Sequence, residues 1–186
     1  QNFNNKLPLR LIIALVLIII FSILIPINLK PVFLNKENSE TLNEVYYGSY
    51  GTIAVVKSHP PHYPRNYDDL YIKLNNHYTL GGVGSTPSEL RQAHLPLFIH
   101  YNPKSVYVIG MGTGITAGGT LYHPIEKLVV TEIVPEVITA SKNYFKTYTN
   151  NLYTDNRVKI ITEDGRNYLY SISEKYDVII GDLFNT

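Results

Sequence analysis

Residues 108–119, VIGMGTGITAGG, set five glycines in twelve positions directly after the apolar run Val106–Ile109. An apolar strand that breaks into glycines brings backbone close to another group, because glycine has no Cβ and accepts positive φ. Between a strand and a helix, such a turn lets backbone amides and a helix N-terminus approach a ligand. The spacing is Gly110-x-Gly112-x-Gly114, and Ile115 stands at the third position of the dinucleotide fingerprint. That departure argues against a nicotinamide cofactor.

Downstream, apolar runs alternate with helical patterns. Strands are expected at Val106–Gly110, Leu128–Glu132, Val158–Thr162 and Asp177–Asp182, with helices at Thr113–Leu121, Pro135–Phe145 and Arg166–Ser173. Such alternation predicts a parallel sheet with crossover helices, here ordered 3-2-1-4. Glu132, Asp164 and Asp182 then stand at or just past the carboxyl ends of successive strands, where open α/β sheets bind ligands. Glu132, about twenty residues beyond the turn, can accept both ribose hydroxyls. Asp164-Gly165 stands where an acceptor meets an adenine amino group. The turn is read as holding a nucleoside.

Upstream, Thr86-Pro87-Ser88-Glu89 spells a helix start, with Thr86 as cap, Pro87 in the first turn and Glu89 closing a capping box. The helix runs through LRQAHLPLFIH, with a kink expected at Pro96. Before it, EVYYGSYGTIAVVKS (44–58) and DLYIKLNNHYTLGG (69–82) flank a proline-rich loop and predict a small antiparallel unit. His59 and His62 bracket a Pro-Pro pair without further ligands nearby, so this reads as a solvated loop and no metal site is assigned.

Residues 11–29 carry no charge, between Arg10 and Lys30. About 20 apolar residues cross a bilayer, so a transmembrane helix is expected, with Pro26 tolerated near its end. Cationic residues on both flanks leave its orientation open. The fold class expected is therefore α/β: a Rossmann-like methyltransferase-type parallel sheet, preceded by a small antiparallel β unit and one transmembrane helix. The expected segments are a transmembrane helix with flanks (1–30), a linker (31–43), a small β domain (44–85) and a Rossmann-like nucleoside-binding domain (86–186). The chain starts with Gln and stops just after a strand, and it reads as part of a longer protein.

Composition narrows the chemistry. The 16 basic and 15 acidic residues leave a net charge of +1, which gives no electrostatic reason to expect nucleic acid. With no cysteine, thiol catalysis, disulfides and Cys-ligated zinc are excluded. The 16 tyrosines are scattered and form no evident stacking platform.

Residues 44–186 resemble the spermidine synthase (polyamine aminopropyltransferase) family, especially its membrane-embedded multi-span members. The resemblance is carried by AHLPLFIHYNPKSVYVIGMGTG, VVTEIVPEVITASKNYF, DNRVKIITEDGRNYL and YDVIIGDLF, in that order. It implies an N-terminal β domain on a Rossmann-like sheet. It also implies that Glu132 holds the ribose of decarboxylated S-adenosylmethionine, that Asp164 and Gly165 contact its adenine, and that Asp182 accepts the proton of the attacking amine. The implied reaction transfers an aminopropyl group to an amine such as putrescine. The sulfonium nucleoside is a co-substrate, and no metal is needed.

The amine side departs from the family pattern. Soluble members carry Gly-Gly-Gly-Asp-Gly-Gly at the turn, and Thr113 stands at the Asp. Their Tyr-Gln/His-Glu triplet aligns with Ser88-Glu89-Leu90, the second Asp of their Asp-Ser-Ser/Thr-Asp loop with Asn185, and a hairpin Gln with Gly51. Glu89, Thr113 and Asn185 are thus the amine-side candidates, with Glu89 a replacement carboxylate. Two alternatives stand beside the transferase: an S-adenosylmethionine-dependent methyltransferase, and a non-catalytic nucleoside or polyamine sensor fused to a transporter-like membrane region. The expected partners are the amine, the sulfonium nucleoside, membrane lipid and a second copy of the chain as a homodimer. The expected location is the membrane, with the catalytic domain on the cytoplasmic side.

Overall fold

The computed structural model describes residues 9–24, 32–59 and 68–181. Two compact units divide the chain, Gln1–Pro31 and Val32–Thr186. In the first, α1 (Leu9–Leu24) is a 16-residue apolar helix with exposed side chains such as Leu11 and Phe21. Sixteen residues at 1.5 Å rise span about 24 Å, short of the roughly 30 Å hydrocarbon core. No helix among the described residues is long and apolar enough to cross a membrane. This corrects the expected transmembrane helix and the membrane location drawn from it. The uncharged run covers 11–29, whereas α1 takes in only 11–24 of it. Pro26 lies outside the described residues.

The second unit begins with a four-stranded antiparallel meander, β1 (Thr41–Gly48), β2 (Gly51–Ser58), β3 (Asp69–Leu74) and β4 (Tyr78–Gly82), paired in that order. The β1–β2 hairpin turns through Ser49-Tyr50, and Gly48 pairs with Gly51. Asn75 and Asn76 turn the second hairpin at φ 51° and 61°, a region Asn enters more readily than most residues. Ile53, Val55 and Ile72 from this meander pack against Val134, Val137, Ala140 and Phe145. That shared core seats the hairpins against the second sheet.

A short 3-10 turn, Val83–Ser85, leads into α2 (Thr86–Ile99). The expected capping box does not form. Ser85 rather than Thr86 is the cap residue, and the Thr86 hydroxyl donates back to Val83 O at 2.7 Å. Glu89 instead accepts from Gly82 N–H at 3.2 Å and from Ser85 Oγ at 2.9 Å. The preceding turn takes over the task of ending the strand, so α2 begins at Thr86, one residue earlier than a box capped by Thr86 would place it. The helix continues through Pro96 to Ile99.

Four parallel strands follow: β5 (Ser105–Ile109), β6 (Lys127–Glu132), β7 (Val158–Thr162) and β8 (Val178–Gly181). They pair in the order β7-β6-β5-β8, the expected 3-2-1-4. The crossovers carry α3 (Ile115–Thr120), α4 (Pro135–Ala140) and α5 (Gly165–Ser171). Near-continuous Val, Ile and Leu in β5 and β6 is what a sheet covered on both faces requires, and Val106, Val108, Leu128 and Val130 are fully buried. Beyond Ala140 the helix widens into a π turn, Ser141–Phe145. The Rossmann-like α/β architecture with a small antiparallel unit in front is thus present.

Candidate functional site

The carboxyl ends of β5, β6 and β7 open onto a cleft of about 380 Å³, with Gly110, Glu132, Asp164 and Gly165 in its lining. The region beyond the carboxyl ends of the strands is where open α/β sheets bind ligands.

Glu132 ends β6 and is only 4% exposed. Its Oε2 accepts from Met111 N–H at 2.9 Å, and its Oε1 accepts from Val134 N–H at 2.9 Å. An ionised carboxylate offers about four lone-pair sites, so each oxygen keeps one for a ligand. The two amides fix its orientation and tie it to the glycine turn. Asp164 caps α5, with Oδ1 accepting from Arg166 N–H at 2.9 Å and Asn167 N–H at 3.1 Å. The bond from the Asn167 amide, with that from Arg166, holds its carboxyl below the ordinary value, so it stays an acceptor at neutral pH.

The three turn glycines all take positive φ: Gly110 83°, Gly112 51° and Gly114 81°. Only Gly110 lines the cleft. A Cβ on Gly112 would stand 2.4 Å from Leu80 O of β4, so this glycine serves the contact between turn and meander. Gly114 caps α3 and faces Ser141 and Leu152. Gly165 is fixed by packing, since a Cβ there would meet Ile109 Cγ2 at 2.6 Å and Thr131 Oγ1 at 2.9 Å.

On the other side of the turn, Thr113 and Glu89 come together. Thr113 is fully buried, Glu89 is 8% exposed, and the Thr113 hydroxyl donates to Glu89 Oε2. Together with Gly82 and Ser85, this joins meander, α2 and glycine turn at one carboxylate. Asp182 and Asn185 lie outside the described residues, as does His62. β8 reaches Gly181, which pairs with Ile109 at the start of the turn. Of the loop histidines, His59 has its Nδ1 3.3 Å from Asp68 Oδ1, which also meets Lys57 through its second oxygen.

Two supports escaped the sequence reading. Tyr107 is buried in β5, its hydroxyl 2.8 Å from Thr131 Oγ1, and it donates to Gly165 O at 2.8 Å. Its ring stacks with those of Tyr168 and Tyr176 at 5.7 and 5.1 Å between centroids. Among sixteen scattered tyrosines, a tyrosine inside an otherwise aliphatic strand was the available signal. Ser141, set by the π turn, donates to Thr113 O, and no spacing rule announces it.

The model of the spermine/spermidine synthase domain matches residues 91–185. The chain is similar to the polyamine aminopropyltransferase of Clostridium tetani, 39% identical over 90 residues that make up 48% of this chain and 32% of the relative. It is also similar to polyamine aminopropyltransferase 1 of Aquifex aeolicus, 41% identical over 91 residues with the same shares. The matched stretch spans about a third of the length of these curated relatives. A solved spermidine synthase in complex with the transition state analogue AdoDATO superposes with a TM-score of 0.67 at 27% identity, over 77% of this chain and 47% of that one. Spermidine synthase from Thermotoga maritima gives 0.66 at 28% identity, over 77% and 48%. The matched domain takes in just over half of the chain, and the strand order, the cleft and the solved relatives agree with it: the chain belongs to the spermine/spermidine synthase domain family.

Proposed function

We propose that the chain carries the nucleoside-binding part of an aminopropyltransferase, which moves an aminopropyl group from decarboxylated S-adenosylmethionine to a primary amine such as putrescine. The observation that carries this reading is the Glu132 carboxylate, oriented by Met111 and Val134 amides on the cleft wall with one acceptor site left on each oxygen. Two such sites on one group suit vicinal ribose hydroxyls. Asp164, capping α5 at the same cleft, accepts from the adenine amino group.

In the reaction, the amine nitrogen bonds to the aminopropyl carbon as the carbon–sulfur bond breaks. The electron pair returns to sulfur, giving methylthioadenosine, and the surplus proton leaves the new ammonium. A free amine of this kind has a pKa of about 10, so a carboxylate near the nitrogen favours the transfer. Asp182 takes that proton, Glu89 supplies the carboxylate of the amine side, and Asn185 adds a polar contact there. Holding amine and sulfonium in line contributes much of the rest.

Thr113 supports a second reading. Its hydroxyl is committed to Glu89, where an acid on the turn would face an aminopropyl amine. An S-adenosylmethionine-dependent methyl transfer on the same sheet needs no such acid. Turnover of the intact protein with each sulfonium donor and a panel of amines separates the two, since one releases methylthioadenosine and the other S-adenosylhomocysteine. Methylthioadenosine release with putrescine is expected, falling roughly 100-fold or more in Asp182→Asn while donor binding persists. An equally active Asp182→Asn removes that residue from the mechanism. Nucleoside binding with no turnover of any amine leaves a sensor.

A further inference from the structure

Thr131 immediately precedes Glu132 in β6, and Gly165 immediately follows Asp164 at the start of α5. Both line the nucleoside cleft, and a single hydroxyl meets the two of them. Tyr107, fully buried in β5, has its hydroxyl 2.8 Å from Thr131 Oγ1 and donates to Gly165 O at 2.8 Å. A phenol has only one proton. With that proton given to the Gly165 carbonyl, the Thr131 hydroxyl must be the donor in the other bond. The chain of bonds therefore runs from Thr131 through Tyr107 to Gly165. The fit is close, since a Cβ on Gly165 would stand 2.9 Å from Thr131 Oγ1 and 3.2 Å from the Tyr107 hydroxyl.

Resting on the nucleoside reading above, we infer that Tyr107 is a positioning residue: its hydroxyl sets the span between the ribose acceptor Glu132 and the base acceptor Asp164, and so selects adenine over a base without a 6-amino donor. Glu132 is fixed by the sheet, being the last β6 residue paired with β7, and by the Met111 and Val134 amides. Asp164 lies two residues past the end of that ladder. Its oxygen is held by the Arg166 and Asn167 amides, which belong to α5 and move with it. Glu163 N–H, donating to Glu132 O at 3.2 Å, fastens the loop one residue earlier. The bond from Tyr107 to Gly165 O ties the first turn of α5 itself to an inner strand. Glu132 reads a sugar that all ribonucleosides share, so the base is told apart at Asp164. Hydrogen bonds weaken steeply as their angle departs from linear, and a shift of α5 would be felt there first. Tyr107 is not itself in the lining of the cleft. Its ring is held separately, stacked on Tyr168 and Tyr176, so Tyr107→Phe keeps the stack and removes the hydroxyl alone.

Calorimetry on the intact protein tests this with methylthioadenosine and methylthioinosine, in which a carbonyl replaces the 6-amino group. Wild type is expected to bind methylthioadenosine about tenfold or more the tighter. Tyr107→Phe should weaken methylthioadenosine about fivefold or more and methylthioinosine less than about twofold, so that the preference falls. Thr131→Val removes the bond that orients the hydroxyl and should lower the same preference about threefold or more. It decides the matter alone if Tyr107→Phe does not fold. Tyr176→Leu strips a stacked ring and leaves both hydroxyl bonds, so it should lower the melting temperature with the preference unchanged. An equal fall of preference in Tyr176→Leu assigns the effect to ring packing and overturns the inference. An unchanged preference in Tyr107→Phe, or a wild type that binds both compounds equally, also overturns it and leaves the ribose reading at Glu132 standing. If neither compound binds wild type, the nucleoside reading falls first and the inference with it.

Discussion

Thr113 Oγ1 donates to Glu89 Oε2, while Glu89 Oε1 accepts from Gly82 N–H and Ser85 Oγ. Taken one at a time in the sequence, Thr113 is a missing acid on the glycine turn and Glu89 an unexpected one on the helix. Side by side they form one buried hydrogen-bonded pair that ties the turn to the helix. No spacing rule shows this, because the partners are 24 positions apart and meet only when α2 packs on α3. Glu132 was legible for the opposite reason: it ends a strand at a set distance from the turn, and strand ends decide where such residues go. The buried pair predicts a stability effect. Thr113→Val keeps the shape and removes a donor from a buried carboxylate, a loss of about 1–3 kcal/mol. Urea denaturation of wild type and variant measures it, and a change within experimental error would show that Glu89 does not depend on this hydroxyl.

Among the elements, the glycine turn is shaped as much by the meander as by a ligand. Gly112, at φ 51°, lies against Leu80 O, so Gly112→Ala meets both backbone strain and a carbonyl. Residues forced into that region cost of order 1–3 kcal/mol before any clash is counted. The melting temperature should therefore fall, and nucleoside affinity with it, because Met111 N–H on the same turn orients Glu132. A variant as stable as wild type would mean that β4 yields easily. The loop before β6 has a different fastening. Arg157 donates to the carbonyls of Leu121, His123 and Ile125 and is itself held by Asp155. The hydrogen bond from the Arg157 side chain, joined by its backbone N–H, lowers the Asp155 carboxyl to about 2. A depressed acid contributes stability above its unfolded value, near 3.9, and loses it as pH falls toward 2. Asp155→Asn should flatten the acid limb of a stability–pH curve in that window, and an unchanged limb would assign it to other carboxylates. Helix boundaries were the least legible elements, because the 3-10 turn at Val83–Ser85 before α2 and the π turn at Ser141–Phe145 after α4 follow no local cap signal.

At the scale of the whole molecule, the alternation of apolar runs was enough to read a parallel sheet and its order, since crossover handedness leaves few arrangements for four strands. The strand-like runs at 44–58 and 69–82, flanking a proline-rich loop, likewise separated the meander from the parallel sheet. The apolar N-terminal run misled because hydropathy counts residues, whereas spanning depends on the length of helix, and α1 ends at Leu24. Its unit is compact apart from Val32–Thr186, where the candidate site lies. Within that larger unit, the proposed nucleoside binding rests first on one carboxylate, Glu132, at one cleft. Calorimetry of methylthioadenosine on the intact protein and on Glu132→Ala tests this most directly, with circular dichroism checking that the variant is folded. The account predicts binding by wild type and a loss of roughly 1.5–3 kcal/mol in the variant, the range for hydrogen bonds to a charged group. Equal affinity in the two proteins, or no binding to wild type, would contradict it.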